Sequence, residues 1–168
     1  MSQRVPPWRR LEVWLLVVLV GLDQLTKWMV LQRIPLHDTV PVIPGLLNLT
    51  YVRNTGAAFG MLNASEFAGK PLVVAGMALA ALLGILWYAQ RFAGEAWPSR
   101  FGFAMIAAGA VGNLIDRVLL GFVVDFVDVY AGGWHFWAFN VADAAISVGA
   151  MLFVADALFS RRHVPETI

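Results

Sequence analysis

The chain of 168 residues contains no cysteine. That excludes disulfide frameworks, thiolate metal sites and cysteine nucleophiles together. Charge is also scarce: Asp, Glu, Lys and Arg make up 14% of the residues, against about 25% in an ordinary soluble domain. A net charge of +1 offers no basic field of the kind that attracts nucleic acid. The three histidines, His37, His135 and His163, are scattered and give no spacing such as H-E-x-x-H, so no metal or other cofactor is expected. What the chain has in excess is apolar. The AVILMFWYC set accounts for 60% of it and the mean hydropathy is +0.70. One small globule has too little interior for so many apolar side chains, so much of the surface must face lipid. Disordered, collagen-like and coiled-coil readings fail on the same composition.

Spanning ~30 Å of hydrocarbon takes about 20 helical residues. Four stretches qualify, at about residues 11–31, 71–90, 101–124 and 137–159. They predict a single all-α membrane domain. The first stretch follows Arg4, Arg9 and Arg10 and resembles a secretory leader. No small-residue cleavage site follows it, and Asp23 and Lys27 do, so a retained helix is expected. Arg4, Arg9, Arg10, Arg91, Arg100, Arg161 and Arg162 lie on the side that holds both ends of the chain; Arg33, Arg53 and Lys70 lie opposite. That asymmetry places both termini in the cytoplasm. The outer loop at about 32–70 is long enough to suggest a role. Within it, Leu47 to Val52 alternates like a half-buried strand and Asn54-Thr55-Gly56 is a turn signal. A small β element over the membrane surface is expected there.

Ionisable groups inside spanning helices are expensive and mark candidate sites. Asp23 and Lys27 are four apart and share a helix face, which favours a structural ion pair over catalysis. Asn113, Asp116 and Arg117 gather late on the third stretch, with Arg117 about 24 Å above Phe101, near the outer interface. A polar clamp is the favoured reading for them too. Asp125 is expected to end the third helix, about 36 Å from Phe101. Asp143 is expected about 9 Å below the outer end of the fourth helix. The two carboxylates would then reach similar depth on adjacent helices, with Gly132-Gly133 reversing the chain between them. Asn140, Asp143 and Ser147 would form one polar stripe facing the bundle interior. Asp128 is expected simply to be solvated.

Two carboxylates within reach of one water suit aspartic-type hydrolysis. Like charges so close cannot both ionise, so one acid stays protonated. The ionised partner takes a proton from water, and the protonated one donates to the substrate carbonyl as it becomes an oxyanion. A Ser147–Lys27 mechanism ranks below this, because Lys27 already has Asp23 beside it.

Five motifs appear in order: Asp23-Gln24-Leu25-Thr26-Lys27; Asn54-Thr55-Gly56-Ala57-Ala58-Phe59; Gly112-Asn113-Leu114-Ile115-Asp116-Arg117; Gly121-Phe122-Val123-Val124-Asp125-Phe126; and Phe139-Asn140-Val141-Ala142-Asp143. On these the chain resembles the bacterial lipoprotein signal peptidases, the aspartyl enzymes also called signal peptidase II. Ala108 and Trp137 depart from the residues common in that family, Gly and Pro, and concern packing and helix entry. The resemblance implies Asp125 and Asp143 as a catalytic dyad. It implies supporting roles for Asn54, Gly56, Asn113, Arg117 and Asn140, and structural roles for Asp23, Lys27 and Asp116. It further implies a monomer in the bacterial inner membrane that needs no cofactor, with its site near the outer leaflet. The substrate would be a prolipoprotein cut just before a diacylglyceryl-modified Cys, with the outer loop closing over the site. A proton-coupled carrier or channel subunit, and a lipid-binding assembly factor, remain the rival classes; the carrier reading lacks the repeated halves common in that class.

Overall fold

The computed structural model describes residues 7–56, 67–92 and 97–159, with side chains described at 11–56, 67–87 and 97–159. Ala57, Ala58 and Phe59 of the second motif, His163, and the side chains of Arg4, Arg9, Arg10, Arg91, Arg161 and Arg162 lie outside these ranges.

Among the described residues, four helices are long and apolar enough to cross a membrane: α1 Pro7–Arg33, α2 Lys70–Phe92, α3 Trp97–Leu119 and α4 Val141–Phe159. Their outward faces carry large, exposed apolar side chains, such as Leu72 at 80% exposure and Phe159 at 81%. In water each would be a cost; against acyl chains it is not. Helix α3 is the centre of the bundle, packing on α4, α1 and α2. Small residues let it approach α4 closely. A methyl on Gly102 would sit 2.7 Å from the carbonyl oxygen of Gly149, and one on Gly149 would sit 2.5 Å from that of Gly102. At the same end Ser99 bonds Asp156 and Arg100 pairs with Glu12, tying α3 to α4 and α1.

The β element is larger than the sequence suggests. Strands β1 Thr39–Ile43, β2 Leu47–Asn54, β3 Val123–Ala131 and β4 Trp134–His135 form one antiparallel sheet in the order β1-β2-β3-β4. The alternating segment from Leu47 is β2, as expected, and Gly132-Gly133 turns β3 into β4 with φ of 54° and 87°. Val30 of α1 and Ile34 just after it pack with Tyr51 of β2 and with Val124 and Phe126 of β3, fastening the sheet to the end of the bundle.

Three expectations are corrected. The third helix ends at Leu119, not near Val124, so Asp125 lies on a strand and not at a helix end. The cause is Gly121, whose φ of +80° leaves the helical region. The residues that follow, Val123-Val124-Asp125-Phe126-Val127, then pair with β2 as β-branched and aromatic runs tend to do. The fourth helix begins at Val141, not at 137, because Phe139 bridges to Val127 in extended form. Asp143 is therefore in the first turn of α4 and not two turns in. Ser147 is exposed on the outside of α4, so the polar stripe does not continue inward and no Ser147–Lys27 pair exists.

Candidate functional site

The site lies where the sheet meets the bundle, and it is organised on Asn140. This residue caps α4. Its Oδ1 accepts the backbone N–H of Asp143 at 2.9 Å, and Asp143 Oδ2 accepts the backbone N–H of Asn140 at 3.3 Å. The pair forms a reciprocal capping box, which fixes the Asp143 side chain at the helix entrance. Asn140 is fully buried. Its amide nitrogen donates to Asp125 Oδ1 at 2.7 Å and to Asn113 Oδ1 at 3.2 Å. One asparagine thus holds a carboxylate from the sheet and a carboxylate from a helix.

Each acid has a further amide of its own. Asn54, near the end of β2, donates to Asp125 Oδ2 at 3.0 Å. Asn113 of α3 donates to Asp143 Oδ1 at 2.8 Å. Asp125 is 3% exposed. Burial, followed by the charge of Asp143, pushes its carboxyl from the ordinary 3.8 up to about 7, against the lowering effect of its amide bonds.

Behind the acids lies a buried ionic hub. Lys27 Nζ contacts Asp23 Oδ2 at 2.9 Å, Asp116 Oδ2 at 3.1 Å and Asn113 Oδ1 at 2.9 Å. An ammonium has three donors, and all three are engaged. The expected Asp23–Lys27 pair is present, and it is joined by Asp116. Gln24 completes the hub, donating to Asp116 Oδ1 at 2.9 Å and to the Gly112 carbonyl at 3.2 Å. Gln24 stands in the first motif, where a lone amide next to an acid in an apolar helix is the only sequence signal of this role.

Arg117 is held by main-chain carbonyls. It donates to the carbonyl of Asn113 at 3.1 Å and to the carbonyl of Gly56 at 3.1 Å. The second bond joins α3 to the turn after β2. Among the described residues its Nε is buried and has no partner. Asn54 Oδ1 also accepts the N–H of Gly56 at 3.1 Å, closing that turn. All ten residues picked from the sequence therefore meet in one region.

Asp128 is a further correction. It is 8% exposed, accepts from Asn48 at 2.9 Å and contacts His135 Nδ1 at 2.9 Å. Burial raises its carboxyl, but the bonds from Asn48 and His135 prevail and hold it below the usual range. Side chains alternate along a strand, so Asp128 faces away from Asp125. No group of three His, Asp or Glu side chains among the described residues is arranged to hold a metal ion.

Comparison with known proteins gives a consistent result. The sequence profile of signal peptidase (SPase) II matches residues 15–159. A lipoprotein signal peptidase of Nitratidesulfovibrio vulgaris is 45% identical over 158 residues, covering 94% of this chain and 93% of that one. One from Desulforapulum autotrophicum is 43% identical over 149 residues, covering 89% and 91%. The Escherichia coli K12 protein of the same name is 41% identical over 152 residues, covering 89% and 90%. A solved structure described as a bacterial membrane enzyme superposes with a TM-score of 0.80 at 32% identity, covering 94% of this chain and 93% of its own. With the profile running from α1 to the end of α4 and the relatives matching over most of their length, the chain belongs to the signal peptidase II family.

Proposed function

We propose that this protein is an aspartic endopeptidase of the bacterial inner membrane that removes the signal peptide from prolipoproteins. It cuts on the N-terminal side of a Cys that carries diacylglycerol. The observation that carries the mechanism is the convergence of Asp125 and Asp143 on Asn140. Family membership and relatives named lipoprotein signal peptidase support the substrate class.

The dyad works with one shared proton. The ionised carboxylate accepts a proton from water while the water oxygen attacks the scissile carbonyl carbon. The protonated carboxyl donates to the carbonyl oxygen, giving a neutral tetrahedral diol. The proton taken from water then passes to the leaving nitrogen. The C–N bond breaks as one diol hydroxyl gives its proton to the carboxylate that protonated the carbonyl oxygen, so the dyad regains its shared proton, the signal peptide leaves as a carboxylic acid and the lipid-bearing Cys acquires a free amine. No metal takes part. Asn54, Asn113 and Asn140 orient the acids, and the Nε of Arg117, unpartnered among the described residues, is a donor for a substrate carbonyl.

Both termini are cytoplasmic, the sheet lies on the outer face, and the dyad meets the substrate at outer-leaflet depth, where a diacylglyceryl group is anchored. The chain acts as a monomer, with the signal helix laid against the bundle in lipid. The test uses purified protein in detergent with a lipid-modified precursor. Asp125→Asn and Asp143→Asn should stay folded and leave the precursor uncut, and a chelator should not slow the unaltered protein. Cleavage by either variant, or loss on chelation, overturns the dyad.

A further inference from the structure

The hub behind the dyad is more than a way to keep charges in lipid. Asp23 Oδ1 accepts the backbone N–H of Ala142 at 2.9 Å. Asp116 Oδ2 accepts the backbone N–H of Val124 at 3.0 Å. Ala142 and Val124 are the residues immediately before Asp143 and Asp125. Two carboxylates from α1 and α3 therefore grip the main chain at equivalent points, one peptide before each acid of the dyad. Lys27 then joins the two grips to one another.

We propose that Asp23 and Asp116 are positioning residues that set the spacing of the dyad through the main chain, with Lys27 as the common clasp. The proposal rests on the dyad reading above and deepens it. Neither acid is linked by a direct side-chain bond to Asp125 or Asp143; the leverage runs through Val124 and Ala142. Asp125 is carried by a strand and Asp143 by a helix, two elements that could shift independently. Asn140 joins them at the carboxyl ends, and the tethers join them at the backbone ends. Two points of attachment define an orientation where one would leave a pivot. The tether on α1 is itself tightly seated. A methyl on Gly112 would come within 2.5 Å of Asp23 Oδ2.

The experiment compares kcat and KM for a peptide containing diacylglyceryl-Cys, using the full chain in detergent. Asp23→Ala and Asp116→Ala should lower kcat about 10- to 100-fold, the penalty for a reacting group misplaced by about 1 Å. KM should change less than about twofold, because the interaction lost is one that matters in the transition state. Asp23→Asn and Asp116→Asn keep an oxygen for the backbone N–H and should recover most of kcat. Gly112→Ala, which displaces Asp23 and removes no charge, should lower kcat in the same way. It also decides the matter if the alanine variants fail to fold. The proposal is overturned if the asparagine variants are as impaired as the alanine ones, if KM rises at constant kcat, or if Gly112→Ala is fully active. Asp125→Asn and Asp143→Asn run alongside; cleavage by either would show that the underlying dyad reading has failed, whatever the tethers do.

Discussion

Replacing Asp125 by asparagine should abolish cleavage and at the same time stabilise the fold, by an amount that depends on pH. The acid is buried and beside a second carboxylate, and its carboxyl is pushed from 3.8 to about 7. Ionising it in the folded protein therefore costs about 4 kcal/mol at pH values above both. The sign follows from which state holds the proton. The native state keeps it to about pH 7 and the unfolded state releases it near 4, so stability is greatest at low pH and is lost as pH rises through this window. Asparagine is neutral throughout and escapes the loss. Its own amide would face the Asn54 nitrogen now 3.0 Å from Oδ2, and turning Asn54 would give up its bond to Gly56. That offsets about 1 kcal/mol, leaving a net gain of about 3 kcal/mol near pH 8. Near pH 5 the gain should be smaller by about 2–3 kcal/mol, since the native carboxyl is then protonated. Thermal unfolding in detergent at both pH values measures it. The midpoint advantage of the variant should be about 5–10 °C larger at the higher pH. An advantage that does not change with pH would refute the assignment of a buried, proton-holding acid at this position.

The rate of cleavage should fall above about pH 7 with the slope of a single proton, as the dyad loses its last one; the two apparent values of the pH–rate profile belong to the pair. Asp128→Asn should cleave normally, because its bonds to Asn48 and His135 lie on the other face of β3. It should lose about 1 kcal/mol at neutral pH, and the deficit should vanish in acid, where the native carboxylate gives up its charge. Phe126→Ala empties the small core between α1 and the sheet and should cost about 3–5 kcal/mol by thermal unfolding.

The bundle was legible because the apolar runs are long, and the site because acids and amides stand out within them. The strand from Leu47 was legible through its alternation. Strand β3 was not, for a physical reason. Phe122-Val123-Val124 continues the apolar run of α3, and a strand covered on both sides shows no alternation to separate it from a helix. Only Gly121 marked the break, and one glycine in an apolar run is weak punctuation. The start of α4 was hidden in the same way by Trp137-Ala138-Phe139, although Asn140 and Asp143 three apart have the spacing of a capping box. Placing Asp125 on a helix led in turn to a solvated Asp128. Its partners Asn48 and His135 come from strands on either side, which a helical reading cannot bring together.

The reversal at Gly121 has a consequence for where this protein is vulnerable. Any other L-amino acid there pays about 1–2 kcal/mol for the left-handed backbone, and relief would come from unwinding the junction between α3 and β3. Every acid and amide would remain in the chain, yet their meeting place would loosen as the temperature rose. A search for heat-sensitive forms, working when cool and silent when warm, should therefore begin at this bend and not among the carboxylates.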